Sequence, residues 1–216
     1  MRKKLILVVE DEVIVAKDIR NKLEQQGYEC ILATGGNEAL EMIREHSPDL
    51  VLMDIYLEGN RDGIMTTKKI NITYDIPVIY LTSYTDDATL KKAKLTNSYG
   101  YILKPINERE LSAIIEMALH NYETEHKLKE SEKRYLTLFD NAPDMYFSVN
   151  PNAIVMNVNK TGAEYLGYSK EELLGNSVWK VVYKEDVEHI KKQLNEIIAN
   201  RTAKSELEFR KIKKDG

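Results

Sequence analysis

Cysteine is nearly missing from this chain: Cys30 is the only one in 216 residues. That excludes internal disulfides and fits a reducing compartment, so a cytoplasmic location is expected. Cys30 lies in the apolar run Cys30-Ile31-Leu32-Ala33 and reads as a core residue, not a reactive thiol. Long apolar runs are missing as well. Nothing approaches the ~20 residues that a membrane-crossing helix needs, so no membrane span is expected. The five apolar residues after Met1-Arg2-Lys3-Lys4 are too few for a signal peptide. There is no basic excess either. Residues 1–120 carry 15 Lys/Arg against 19 Asp/Glu, and residues 121–216 carry 16 of each. Nucleic-acid binding is therefore disfavoured in both halves.

What the chain does have is a set of apolar runs at 5–9, 29–33, 50–53, 78–82 and 100–103, separated by segments of helical spacing. Val13, Ala16, Ile19 and Leu23 share one face of the first segment, and Ala39, Leu40 and Ile43 one face of the second. Gly27 and Ser47-Pro48 are the stop signals of these two helices. The alternation predicts an α/β fold, a five-stranded parallel doubly wound sheet covered by helices on both faces.

From Glu108 the helical pattern Leu111, Ile114, Ile115, Ala118, Tyr122 continues through a mostly charged stretch to Arg134 without Gly or Pro. Such a polar helix is a connector between domains or half of a weak coiled coil. Beyond Tyr135 the pattern becomes α+β. Met145–Val149 and Ala153–Val158 flank the turn Asn150-Pro151-Asn152, and Lys160–Leu166 ends at Gly167. Ser169 and Glu172 form a capping box, a helix follows over about 186–199, and Ser205–Ile212 alternates as a strand. The expected divisions are 1–121, a linker at 122–134, and 135–216.

The chemistry sits where the apolar runs stop. Leu5–Val9 ends on Glu10-Asp11-Glu12, the third run on Asp54, the fourth on Thr82 and the fifth on Lys104. In a parallel sheet these strand ends share one edge, where open α/β folds place their sites. Three carboxylates from Glu10, Asp11 and Asp54 repel one another without a counter-ion. Hard oxygen ligands with room for water suit Mg²⁺. A carboxylate beside such an ion is a nucleophile for phosphoryl transfer; Lys104 supplies a point charge for a phosphoryl oxygen, and Thr82 a hydroxyl donor.

Val9-Glu10-Asp11-Glu12, Met53-Asp54, Asp62-Gly63, Leu81-Thr82-Ser83 and Gly100-Tyr101-Ile102-Leu103-Lys104-Pro105 together resemble the flavodoxin-like receiver domain of two-component response regulators. The resemblance implies that Asp54 accepts a phosphoryl group from a histidine kinase or phosphotransfer protein in a phosphorelay. It implies Mg²⁺ held by Glu10, Asp11, Asp54 and the main-chain carbonyl of Tyr56. It also implies that Thr82 and Lys104 contact the phosphoryl group, that the Lys104-Pro105 peptide is cis, and that Tyr101 is an aromatic switch. Two departures stand out: Glu58 takes the place of a frequent proline, and Asp62-Gly63 falls one residue late. Tyr56 and Tyr84 match positions that border the path of hydrolytic water in receivers, so their rings are expected to lengthen the life of the phosphoryl group.

Leu138–Asp144, Val158-Asn159, Tyr165–Ser169, Glu171–Gly175, Glu185-Asp186 and Lys214-Asp215-Gly216 resemble a PAS sensor domain whose last strands are not present. The parent expected from this arrangement is a hybrid sensor kinase, or an adaptor with no kinase domain. Ser177-Val178-Trp179 has no cysteine for flavin chemistry, and His189 reads as an exposed helical residue, so neither flavin nor haem is expected. A homodimer through the linker helix and PAS domain stays open. The competing classes are an Mg²⁺-dependent phosphohydrolase with an Asp nucleophile and a phosphorylation-independent scaffold. The first lacks a second acid two residues past Asp54, where Tyr56 stands.

Overall fold

The computed structural model describes residues 2–57, 61–83, 96, 98–199 and 208–216; of residues 61–62 and 197–199 it describes the backbone alone. Glu58 and Tyr84 lie outside the described residues. Two compact units divide the chain, Met1–Leu128 and Lys129–Gly216.

The first unit holds strands β1 (Leu5–Val9), β2 (Glu29–Ala33), β3 (Leu50–Asp54), β4 (Tyr56–Leu57), β5 (Arg61–Asp62), β6 (Val78–Thr82) and β7 (Gly100–Leu103). Helices α1 (Val13–Gln25), α2 (Gly36–His46) and α3 (Gly63–Thr73) alternate with them, and α4 (Glu108–Asp140) follows. Five strands form one parallel sheet in the order β2-β1-β3-β6-β7. The short β4 and β5 pair separately as an antiparallel hairpin.

Alternation along the central strands sorts the core into two layers. Ile6, Val8, Leu50, Leu52, Ile79 and Leu81 pack with Ile19 and Leu23 of α1 and Leu111, Ile115 and Ala118 of α4. Leu7, Val9, Val51, Met53, Val78 and Tyr80 pack on the other face with Ala39 and Ile43 of α2 and Ile64 and Ile70 of α3. Each such side chain taken fully out of water stabilises the fold by ~1.5–3 kcal/mol. This sheet is a rigid platform for whatever its strands carry at their ends.

Helix α1 stops where Gly27 takes φ +89°, and α2 where Ser47 takes φ +47°. Helix α4 does not end at Arg134; it continues to Asp140. Beyond the apolar contacts of Leu111, Ile115 and Ala118, polar and aromatic groups anchor it to the first unit. Tyr122 donates to the carbonyl of Asp75 (2.5 Å) and Tyr99 to Glu125 (2.8 Å), while Lys4 pairs with Glu123 (3.3 Å).

The second unit contains β8 (Phe147–Val149), β9 (Val155–Val158), α5 (Lys160–Leu166), α6 (Lys170–Leu173), a 3-10 turn at Val178–Val181 and α7 (Lys184–Ala199). Strands β8 and β9 form an antiparallel hairpin. The Asn150 side chain accepts from the amides of Asn152 and Ile154 in its turn, and Ala153 adopts φ +60°. The Ser169/Glu172 capping box is present. Val155, Val158, Ala163, Leu166, Leu173 and Val181 make the core. The strand expected over 205–212 is not formed in its described part, which makes a single bridge, Lys211 to Val182. Arg210 instead turns to Asp186, with contacts of 2.6 and 3.1 Å. Residues 205–207 of that expected strand lie outside the described residues.

Candidate functional site

At the carboxyl edge of the sheet, main-chain pairing runs one residue past β1, β3 and β7. Glu10 N–H donates to Ala33, Ile55 N–H to Leu81 and Lys104 N–H to Thr82, at 3.0, 3.1 and 2.8 Å. This locks the first residues after β1, β3 and β7 in register, so the strand-end polar residues converge. Glu10, Asp54 and Thr82 are buried, and Asp11 is half-buried.

One oxygen from each of Glu10, Asp11 and Asp54 lies within 4.8 Å of the other two. Lys104 Nζ reaches over β6 to stand 2.6 Å from both Glu10 Oε2 and Asp54 Oδ2. It donates a hydrogen bond to Asp54; towards Glu10 the contact is an ion pair. Asp54 Oδ1 accepts from the Tyr56 amide at 3.0 Å. Both oxygens of the Asp54 carboxylate are thus held, and its orientation is fixed.

Glu10 is different. Its carboxyl is fully buried, and Oε1 has no hydrogen-bond partner among the described residues. Burial pushes this group up to about 7, against the pull of Lys104 and with a further push from the Asp54 charge. Burial lowers Lys104, but its two carboxylate partners more than offset that and hold it above the ordinary lysine value. An orphaned buried carboxylate oxygen beside two further carboxylates is a donor set of hard oxygens, and it fits a small divalent cation such as Mg²⁺.

The remaining expected residues take these places. Thr82 closes β6 and its hydroxyl donates to the Ser83 carbonyl at 3.3 Å. Tyr101, beside Tyr80 in register on β7, is 51% exposed, and Tyr56 is 50% exposed. The Lys104-Pro105 peptide is cis. Tyr84 belongs to the segment outside the described residues.

Two features were not evident beforehand. Gly63 N–H donates to the Ile55 carbonyl, and a Cβ on Gly63 would stand 1.9 Å from the main-chain oxygen of Asp54. The α3 N-terminus therefore packs directly against the Asp54 backbone, a fit only glycine permits. The sequence signal is Asp62-Gly63, which reads as a motif and does not reveal the contact. Lys104 as a shared counter-ion for Glu10 and Asp54 was the other; its residue type allowed this, but nothing in the sequence measures its reach.

A response regulator receiver domain model matches residues 6–116, and a PAS fold model matches residues 133–216. The chain belongs to the response regulator receiver family. This receiver resembles the transcriptional regulatory protein PdtaR of Mycobacterium tuberculosis, at 31% identity over 118 residues, 54% of this chain. The chain spans 57% of the length of that relative. Among solved structures, the signal receiver domain of a modulated diguanylate cyclase from Desulfovibrio desulfuricans G20 is 34% identical. Its TM-score is 0.55, with 57% of this chain and 99% of that one covered. The N-terminal domain of a response regulator/sensory box/GGDEF 3-domain protein from Carboxydothermus hydrogenoformans is 40% identical at TM-score 0.53. That alignment covers 56% of this chain and 98% of the other. A receiver followed by a PAS domain supports a role in two-component signalling. No described helix is long and apolar enough to cross a membrane.

The PAS unit has no comparable charged centre among its described residues. Its interior holds a cavity of about 330 Å³ lined by Met145, Phe147, Leu166, Trp179, Ile190 and Leu194, with Lys211 at its border. His189 is exposed on α7. Among the described residues of this unit, the buried polar one is Asn159. Its Oδ1 accepts from the amides of Tyr146 and Gly162, and its Nδ2 donates to the carbonyls of Phe139 and Asp144.

Proposed function

We propose that this chain is a phosphoryl-accepting signalling module in which Asp54 takes a phosphoryl group from a histidine kinase or phosphotransfer protein. The observation that carries this reading is the Lys104 ammonium 2.6 Å from both Asp54 and Glu10, beside a buried Glu10 oxygen with no partner. A cation held by Glu10, Asp11, Asp54 and the Tyr56 main-chain carbonyl would offset charge on the transferring oxygens.

Asp54 is the nucleophile. Its oxygen forms the new P–O bond while the bond from phosphorus to the donor atom breaks, and the donor leaves with that electron pair. Tyr56 N–H holds the other carboxylate oxygen, which fixes the line of attack. Lys104 exchanges a carboxylate for a phosphoryl oxygen, so its charge is used both before and after transfer. Thr82 offers a hydroxyl to a second phosphoryl oxygen, and Tyr101, now half out in solvent, follows Thr82 inward. The rings of Tyr56 and Tyr84 slow hydrolysis. The PAS domain is the sensory and dimerising part, joined to the receiver through α4, in a cytoplasmic protein that forms a homodimer through the linker helix and PAS domain.

The test is incubation with Mg²⁺ and acetyl phosphate, read by intact mass. A phosphoryl adduct is expected on the wild type and not on Asp54→Asn; an adduct of equal yield on both would refute the assignment.

A further inference from the structure

The length of α4 beyond the sheet carries a second message. From Met117 to Leu138, the residues Met117, Asn121, Thr124, Leu128, Ser131, Tyr135 and Leu138 follow one another at alternating steps of four and three. All seven are exposed, the large ones at 53% for Met117, 61% for Leu128, 56% for Tyr135 and 68% for Leu138. This is a heptad seam, with Asn121, Leu128 and Tyr135 at a positions and the other four at d. It is not the face that packs on the receiver core. Leu111, Ile115, Ala118 and Leu119 do that from b, e and f positions, joined by an a residue only at Ile114, before the seam begins, and Tyr122 at b is tied to Asp75.

The flanking charges select a partner. Lys127 and Arg134 fall at g, and Glu125 and Glu132 at e. In a parallel pair of identical helices a g residue faces the e residue five positions on in the other copy, which sets Lys127 against Glu132 twice over. In an antiparallel pair g faces g and e faces e, which sets lysine and arginine together and glutamate against glutamate. Glu125 is engaged by Tyr99 of its own chain, so the orientation rests on Lys127 and Glu132. Asn121 at an a position favours two strands in one register, at a cost in stability. Thr124 has its hydroxyl satisfied by the His120 carbonyl, so it can sit inside a seam.

We propose that Met117–Leu138 is the seam of a parallel, in-register, two-stranded coiled coil formed with a second copy of this chain. It deepens the homodimer reading given above and rests on it. Asn121, Thr124 and Ser131 make the seam weak, so the dimer is one that a modest bias from either domain can shift.

The experiment uses the full chain, with single cysteines for cross-linking and sedimentation for mass. Native Cys30 is buried and does not compete. Ser131→Cys, at d, is expected to cross-link to a dimer under mild oxidation, and Lys133→Cys, at f, not to. Ser131→Leu is expected to tighten the dimer by roughly tenfold or more. Lys127→Glu is expected to weaken it and Lys127→Glu with Glu132→Lys to restore it. A dimer in which both cysteines cross-link alike, or in which the double charge reversal gives no recovery, overturns the seam and leaves the homodimer reading standing. A chain that stays monomeric with Ser131→Leu in place overturns both.

Discussion

The two units each bury one conspicuous polar centre, and the centres are opposites. In the PAS unit Asn159 is fully buried and all of its side-chain hydrogen-bonding positions used here are filled, two donated and two accepted. In the receiver Glu10 is equally buried, yet one of its oxygens has no partner and its nearest cation is shared with Asp54. A satisfied buried network rigidifies the fold around it, whereas an unsatisfied buried carboxylate is a cost retained for chemistry. The contrast marks one centre as structural and the other as a candidate for chemistry.

Breaking the satisfied centre should have the largest effect on stability. Asn159→Ala leaves two amides and two carbonyls without partners, including the N-cap of α5. The expected cost is about 3–5 kcal/mol, concentrated in the PAS unit. Hydrogen exchange would read it as lost protection over residues 144–182, with receiver protection unchanged. Equal loss in both units would mean that Asn159 is not a local structural hub.

On the receiver side, Gly63→Ala forces a Cβ against the Asp54 main-chain oxygen, at 1.9 Å before any relaxation. Overpacking of backbone by side chain costs ~1–3 kcal/mol or more. Because the displaced atom belongs to the peptide of Asp54, the proposed acceptor, the rate of phosphorylation by acetyl phosphate should fall more than thermal stability predicts. Unchanged phosphorylation would show that the α3 N-terminus does not set the acceptor's position.

These two residues mark where the sequence stopped being informative. Glu10, Asp11, Asp54, Thr82 and Lys104 could be assembled in advance because a parallel sheet delivers strand ends to one edge whatever the loops do. The Ser169/Glu172 box and the Gly167 stop were legible for a similar reason, since capping acts within a few residues. Asn159 was only a fragment of a motif: its partners lie at Phe139, Asp144, Tyr146 and Gly162, and folding alone brings the first three to it. Gly63 depends on how closely a helix start approaches a strand end. Lys104 depends on how far a flexible side chain reaches. The strand expected over 205–212 makes one bridge in its described part, and period-two alternation does not reveal that Asp186 takes the amide and side chain of Arg210.

Sharpening the unsatisfied centre means removing its charge. Without metal, Glu10 is raised to about 7 from 4.5 by burial. A raised acid binds more protons folded than unfolded, so its stabilising share is fully present below pH 4.5 and is lost as pH rises through 7. Glu10→Gln should therefore match the wild type near pH 4.5 and exceed it at pH 8, by an amount on the order of 2–3 kcal/mol. Urea unfolding in a chelator at the two pH values reads this directly. The same substitution should weaken Mg²⁺ binding, and wild-type affinity should rise with pH as Glu10 loses its proton. A Glu10→Gln advantage that is equal at both pH values would remove burial of charge as the cause.

The smallest effect concerns what surrounds the centre once it is charged. Tyr56 donates its amide to Asp54 but leaves its ring half exposed, so the side chain can be changed without touching that hydrogen bond. If the ring screens the acyl phosphate from water, Tyr56→Asn should shorten the phospho-form's life by roughly tenfold, about 1.4 kcal/mol in the hydrolysis barrier. The rate of phosphorylation should hardly move, because the Asp54 carboxylate keeps both of its donors. Loss of the adduct followed by intact mass after removal of acetyl phosphate separates the two rates. A slower formation with unchanged decay would place Tyr56 in acceptor positioning and leave water access to be governed elsewhere.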